Sequence, residues 1–308
     1  MSLRSVVVFG SINMDLVAQV PRLPKPGETL LGSRFSTVPG GKGANQAVGV
    51  ARLNTTTQMI GRVGNDGFGQ ELIASLQAAG VDVAGVSVDR TTASGVAMIA
   101  VDDRSENHII VVPGANGTVG TIEIDQLRST LATASALLLQ LEIPLDAVQA
   151  AAEIAYAAGV RVILDPAPAQ ANLPNALYAI VDVLTPNATE AEQLINRSIN
   201  SRSDAEQAAQ TLQQRGAKTV IVKLGAEGAV CATPEDCFFV PAFSVNAIDT
   251  VAAGDAFNAG FATAIVKGKS MREAVRWGAA AGALAATKSG AQASLPDRAT
   301  FDAFLAQH

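Results

Sequence analysis

The feature that most limits what this chain can fold into is its alternation of short, continuous apolar runs with segments of helical period. Ser5–Phe9 is apolar or small at every position and stops at Gly10, the pattern of a strand covered on both faces. Residues 58–63, 136–141, 160–165, 181–184 and 219–224 read the same way. Between them the spacing predicts helices over 43–53, 68–79, 145–158, 189–195 and 204–215, with Gly80 stopping the second. Two more helices, rich in Ala and Gly, are predicted over 254–267 and 271–287. Alternation of this kind means right-handed crossovers between parallel strands. The expected fold class is therefore α/β: a doubly wound, mostly parallel sheet with helices on both faces.

Two stretches, about 16–37 and 94–112, break the pattern and read as extended chain with turns. Strands at Gly95–Val101 and 108–112 flank a polar turn cluster at 102–107. Together they predict a small β-sheet lid lying over one edge of a single domain that spans 1–308.

Composition narrows the chemistry. The net charge is −6, with acids and bases interspersed and no basic stripe, so the electrostatic footprint of a nucleic-acid binder is missing. A polyphosphate would have to be held by local backbone amides and magnesium. There is no run of eighteen apolar residues and no basic stretch leading into an apolar one, which points to a cytoplasmic protein without a membrane partner. Cys231 and Cys237 read as reduced thiols in or beside strands. With His108 and His308 the only histidines, a histidine triad or zinc hydrolase is excluded, and proton transfer falls to carboxylates, Lys or Tyr.

In open parallel sheets ligands bind beyond the carboxyl ends of the strands, so the polar residues found there are the candidates. After the first strand come Asn13 and Asp15, two apart, either an Asx-rich turn or a pair aimed into one pocket to hold vicinal hydroxyls. Gly40-Gly41-Lys42-Gly43 opens a helix, as a plain turn or as a loop that lets backbone approach a ligand, with Lys42 and Asn45 as donors. It is not a Walker loop, since no Ser or Thr follows Lys42, and no G-x-G-x-x-G follows the first strand, which removes a Rossmann dehydrogenase. Asn187 and Glu190, three apart, form a helix cap, a site for hydrated magnesium, or both. Lys223 to Gly228, with Gly225 between, is a hairpin turn or a nucleotide shelf. In Asp249-Thr250-Val251-Ala252-Ala253-Gly254-Asp255 small residues lead into a helix whose positive end can hold a phosphoryl group. Asp255 in that first turn can take the proton of an attacking hydroxyl. As a bland alternative it is simply a favourable acid at a helix start, but the uncharged turn between Asp249 and Asp255 favours function.

Gly40-Gly41-Lys42-Gly43-Ala44-Asn45-Gln46-Ala47, Asn187-Ala188-Thr189-Glu190 and Asp249 to Asp255, in that order, resemble the three signatures of the ribokinase (PfkB) family of carbohydrate kinases. The resemblance spans essentially the whole chain and implies ATP-dependent phosphorylation of a sugar, D-ribose at its 5-hydroxyl, with deoxyribose, fructose or a nucleoside as alternatives. A sugar sensor without activity would not need both the base and the metal motif. By the resemblance, Asn13, Asp15, Gly41, Lys42, Asn45 and Glu142 hold the sugar. Asp255 is the base, and the amides of Ala252, Ala253 and Gly254 form the anion hole. Asn187 and Glu190 organise magnesium and ATP, and Lys223, Gly225 and Gly228 line the nucleotide. Asp249, Val251, Ala285, Lys288, Gly290 and Ser294 would hold a potassium ion, and the lids of two copies would clasp into a homodimer. Ala252 replaces a frequent Gly, tolerable with φ below zero, and Ala279 replaces a histidine that some members place beside the nucleotide.

Overall fold

The computed structural model describes residues 5–104 and 107–308. Of the polar turn cluster at 102–107, Ser105 and Glu106 lie outside the described residues. The chain starts with β1 (Ser5–Phe9), then β2 (Asn13–Gln19) and β3 (Arg34–Gly40), which lead into α1 (Lys42–Arg52). Next come β4 (Thr57–Gly64), α2 (Gly67–Ala78), β5 (Asp82–Asp89), β6 (Gly95–Val101) and β7 (Asn107–Val112). The middle holds α3 (Thr121–Thr130), β8 (Ala134–Leu139), α4 (Leu145–Ala157), β9 (Arg161–Leu164), α5 (Asn175–Ile180) and β10 (Val183–Leu184). Then follow α6 (Ala188–Ile195), α7 (Arg202–Gln214), β11 (Thr219–Lys223), β12 (Gly228–Ala232) and β13 (Cys237–Pro241). Three helices end the chain: α8 (Ala253–Val266), α9 (Met271–Ala286) and α10 (Arg298–Gln307).

Nine strands form the large sheet, in the order β13-β12-β11-β10-β9-β8-β1-β4-β5. It is parallel from β5 across to β11, and only β12 and β13 add antiparallel pairs. Side chains of β1 alternate between two cores, as a pleated strand requires. Val6 and Val8 pack with α1, α8 and α9, while Val7 and Phe9 pack with α3 and α4 on the other face. Each fully buried side chain of this size stabilises by about 1.5–3 kcal/mol, so a charge at Val7 would be stranded between sheet and helices. Among the described residues no helix is long and apolar enough to cross a membrane.

Every strand that the apolar runs predict is present, with ends displaced by a residue or two. β5, α3, α5, α10 and the β12–β13 hairpin are additions to the expected elements. The second sheet has the order β3-β2-β6-β7, with β2 and β6 parallel and the outer pairs antiparallel. It hangs from the carboxyl ends of β1, an interior strand, and β5, the edge strand, so it reaches the middle of the large sheet as well as its edge.

The close packing of α1 on α8 sets the site. A Cβ on Gly49 would come within 2.6 Å of Ala259 Cβ, so glycine lets the two helices touch. That contact draws the amino-terminal turns of α1 and α8 together.

Candidate active site

Strand order reverses between β1 and β8, and there the residues just past the strands meet. Ser11, past β1, donates its hydroxyl to Glu142 Oε2, past β8, at 2.5 Å. The amide of Lys42 donates to the same oxygen at 3.0 Å, which ties Glu142 to the start of α1. Gly41 precedes that helix with φ of 87°, and a Cβ there would approach Asn13 N to 2.7 Å. The turn therefore needs glycine both for conformation and for clearance.

Asn13 and Asp15 were expected just after the first core strand, in an Asx-rich turn or as a pair aimed into one pocket. They lie on β2, at alternate positions and so on one face of the small sheet. Asn116 donates Nδ2–H to Asn13 Oδ1 at 2.7 Å. The Asp15 carboxyl is pushed up to about 7, first by burial and then by the charges of Glu142 and Asp255.

Asp255 is 5 % exposed in the first turn of α8. Asn45 donates to its Oδ2 at 3.0 Å and Gln46 to its Oδ1 at 3.1 Å. Burial raises its pKa, Lys42 lowers it and Asp165 raises it again, leaving it at about 6. Lys42 has the opposite balance: burial disfavours its ammonium, but Asp255, Asp165, Glu142 and Glu190 more than compensate and its pKa is raised. The first intrahelical bond of α8 runs from Ala256 N–H to Ala252 O. Of the amides before it, Ala253's donates to Thr250 O at 3.2 Å, while those of Ala252, Gly254 and Asp255 have no acceptor among the described residues.

A cavity of about 580 Å³ extends from Asp255 and Lys42 to Ala279 and Ala286. Gly225, Gly228, Phe243 and Ala279 line it, with Asp165, Asn187, Glu190 and Lys223 around the Asp255 end. Gly225–Glu227 is a short 3-10 turn joining β11 to the antiparallel β12, so the stretch is a hairpin turn and a cavity wall at once.

Asn187 and Glu190 form a complete capping box on α6, each side chain accepting from the other's amide at 2.8 Å. The bland alternative is realised in full, and Glu190 Oε1 is left over. Burial and then Asp165 raise the pKa of Glu190, against Lys223, the Asn187 amide and Lys42, and a poorly solvated carboxylate with an oxygen to spare suits a hard cation. Asp249 joins two loops, accepting from Val251 N–H and Gly290 N–H at 2.9 Å each. Ala285 O accepts from Lys288 N–H at 3.1 Å, and the buried Ser294 donates to Ala291 O at 2.8 Å. Asp249 thus ties the segment before α8 to the loop after α9, while Ala285 lies in the last turn of α9 and Ser294 in a short 3-10 turn; their carboxylate, carbonyl and hydroxyl oxygens are of the kind a hard monovalent ion takes.

Residues 3–298 match the pfkB family of carbohydrate kinases. The chain belongs to that family. It is 41% identical over 295 residues to the ribokinase of Haemophilus influenzae, covering 96% of each chain. The deoxyribokinase of Salmonella typhi is 36% identical, over 97% of this chain and 98% of its own. The solved structure of Arabidopsis thaliana ribokinase complexed with ribose and ATP superposes with a TM-score of 0.89, at 34% identity and 98% coverage of each chain.

Within this pfkB-family site one expectation fails. Ala252 in place of glycine was held tolerable with φ below zero, but its φ is 59° and ψ 8°, a left-handed residue. The turn closed by Thr250 O and Ala253 N–H leads the chain into α8 with Ala252 as its left-handed third residue. Ser11, Gln46, Asn116, Gln140 and Asp165 hold the site together but had no role in the sequence reading. Gln46 carried the clearest signal, a long polar side chain between the buried Ala44 and Ala47 on a helix.

Proposed function

We propose that the chain transfers the γ-phosphoryl group of ATP to the 5-hydroxyl of D-ribose, giving ribose 5-phosphate and ADP, with Asp255 as general base. The observation that carries this reading is Asp255 itself, a buried carboxylate at the positive end of α8, between Asp15 and the long cavity. Asn13, Asp15, Gly41, Lys42, Asn45 and Glu142 hold the sugar. The buried Asn45 Oδ1 has no partner among the described residues, and an acceptor in that condition suits a sugar hydroxyl. Asp255 keeps spare lone pairs on both oxygens despite its two amide donors, and a pKa of about 6 suits a base working near neutrality. As it takes the hydroxyl proton, the sugar oxygen bonds to the γ-phosphorus and the bond to the β-phosphate oxygen breaks. Free amides at the start of α8, Gly254's above all, meet the charge on the transferred group. Gly225, Gly228 and the cavity beyond them take the nucleoside.

Asn187 and Glu190 would hold magnesium, which supplies charge neutralisation at the phosphates when bound. Asp249, Val251, Ala285, Lys288, Gly290 and Ser294 would hold potassium beside the turn that shapes the start of α8. The small sheet is read as a lid over the sugar in a cytoplasmic homodimer. Leu31 and Phe35, 90% and 65% exposed, and the exposed run Ile109 to Val112 support a clasp between the lids of two copies.

The likeness to a deoxyribokinase keeps 2-deoxyribose as a second reading. ADP release measured with ribose, 2-deoxyribose, fructose and adenosine, with and without potassium, separates them. Fastest turnover on ribose, raised by potassium, is expected. Faster turnover on another sugar reassigns the substrate, and none at all removes the kinase reading.

A further inference from the structure

Beneath Asp255 lies a run of contacts that the transfer step does not employ. Gln46 Nε2 gives one proton to Asp255 Oδ1 and the other to Asp165 Oδ2, each at 3.1 Å. Its orientation is fixed, because Gln140 Nε2 donates to Gln46 Oε1 at 2.7 Å. The other oxygen of Asp165 accepts from Lys223 Nζ at 3.0 Å, an ion pair almost wholly inside the protein. A Cβ built on Gly254 would lie 3.5 Å from the same Nζ, so the ammonium stands beside the first turn of α8.

Two carboxylates thus share one amide in a buried place, and Lys223 is the charge that matches the deeper of them. Lys42 from α1, Asp15 from β2 and Asp165 past β9 are the charged groups that face Asp255. Glu142 past β8, Glu190 on α6 and Lys223 on β11 stand one layer further out.

We propose that Asp165 and Lys223 are a positioning pair for Asp255, which through Gln46 hold its carboxylate in place and govern how readily it takes a proton. The proposal rests on the reading of Asp255 as the base. The negative charge of Asp165 is one of the causes that raise the Asp255 pKa, so uncovering or erasing that charge moves Asp255 in opposite directions. A pair that merely filled space would do neither.

The test is the pH dependence of kcat at saturating ribose and MgATP, for wild type, Lys223→Met, Asp165→Asn and the double variant, with ATP ionisation common to all. Lys223→Met leaves Asp165 unmatched, and the acid limb moves up by about one pH unit. Asp165→Asn moves it down, and the double variant returns it towards wild type, the signature of a coupled pair. Lys223→Arg keeps the wild-type limb. Acid limbs that stay put while kcat falls in every variant would make the pair structural and overturn the proposal. Asp165→Asn is nearly isosteric, so its downward shift decides the matter even where Lys223→Met folds poorly by circular dichroism. Failure of the underlying reading looks different: turnover that survives Asp255→Asn removes the base itself, wherever the limbs lie.

Discussion

Asn116 donates its side-chain amide to Oδ1 of Asn13 at 2.7 Å, and this bond decides what Asn13 can offer a ligand. With Oδ1 engaged, Nδ2 is the group left to face the pocket. Asn116 cannot turn over, because its Oδ1 accepts from Ile12 N–H at 2.9 Å and its Nδ2 also donates to Ile12 O at 3.0 Å. Asn116→Ala should therefore raise the KM for ribose about tenfold, the loss of roughly one well-placed hydrogen bond, and leave the KM for ATP unchanged. Steady-state kinetics with each substrate varied in turn checks this, and an unmoved ribose KM would mean that Asn13 keeps its orientation unaided.

Asp255→Asn keeps the shape of the side chain and removes its basicity. The kcat should fall by about 10²–10⁴. Ribose should still bind with near wild-type affinity in a calorimetric titration, since Asn13, Asp15 and Asn45 are untouched. Loss of binding alongside kcat would make Asp255 a sugar ligand first and a base second.

Sugar affinity should depend on pH through Asp15. Its carboxyl, pushed up to about 7, is largely protonated below that pH and ionised above it. Sugar hydroxyls donate best to the ionised form, so the ribose KM should improve as pH rises through about 7 and worsen as it falls. Binding near neutral pH should also release protons, visible as a buffer-dependent heat. Asp15→Asn should raise the ribose KM and flatten both dependences.

Ala252 occupies the left-handed region at a cost of about 1–2 kcal/mol that glycine does not incur. Ala252→Gly should raise the melting temperature by about 2–4 °C, less whatever the freer unfolded chain takes back. The kcat should change little, because the amide and its direction are retained. A lowered melting temperature would mean that the methyl group packs where the turn requires it.

The large sheet was legible because its central parallel strands are covered on both faces and read as unbroken apolar runs. β5, at the sheet edge with Gly85 in its middle and half its side chains in partial contact with solvent, has no such run. α3 buries only Glu123 and Leu127, and β12 is built from small residues, so neither shows a strong period. The site divides the same way. Residues contiguous with glycines at strand and helix ends could be picked out in sequence. The Gln46–Asp165–Lys223 connection could not, since it depends on the start of α1 and the ends of β9 and β11 lying at one depth. The φ of Ala252 was hidden for a related reason: its turn lies beside Asp249, which reaches across to Gly290 in a contact that sequence spacing does not show.

Three residues separate the end of β1 from the start of β2, and β2 pairs along its whole length with both β3 and β6. The strand that carries Asn13 and Asp15 is thus a rib of the small sheet, so on the proposed reading the residues that hold the sugar and the roof above it belong to one hydrogen-bonded ladder. On that reading a sugar lacking the hydroxyl that donates to Asp15 would bind weakly and would also leave the space under the roof incompletely filled. Water would then reach Asp255 in place of the missing alcohol and ATP would be hydrolysed without profit, so choice of substrate and protection from futile turnover become one mechanical property.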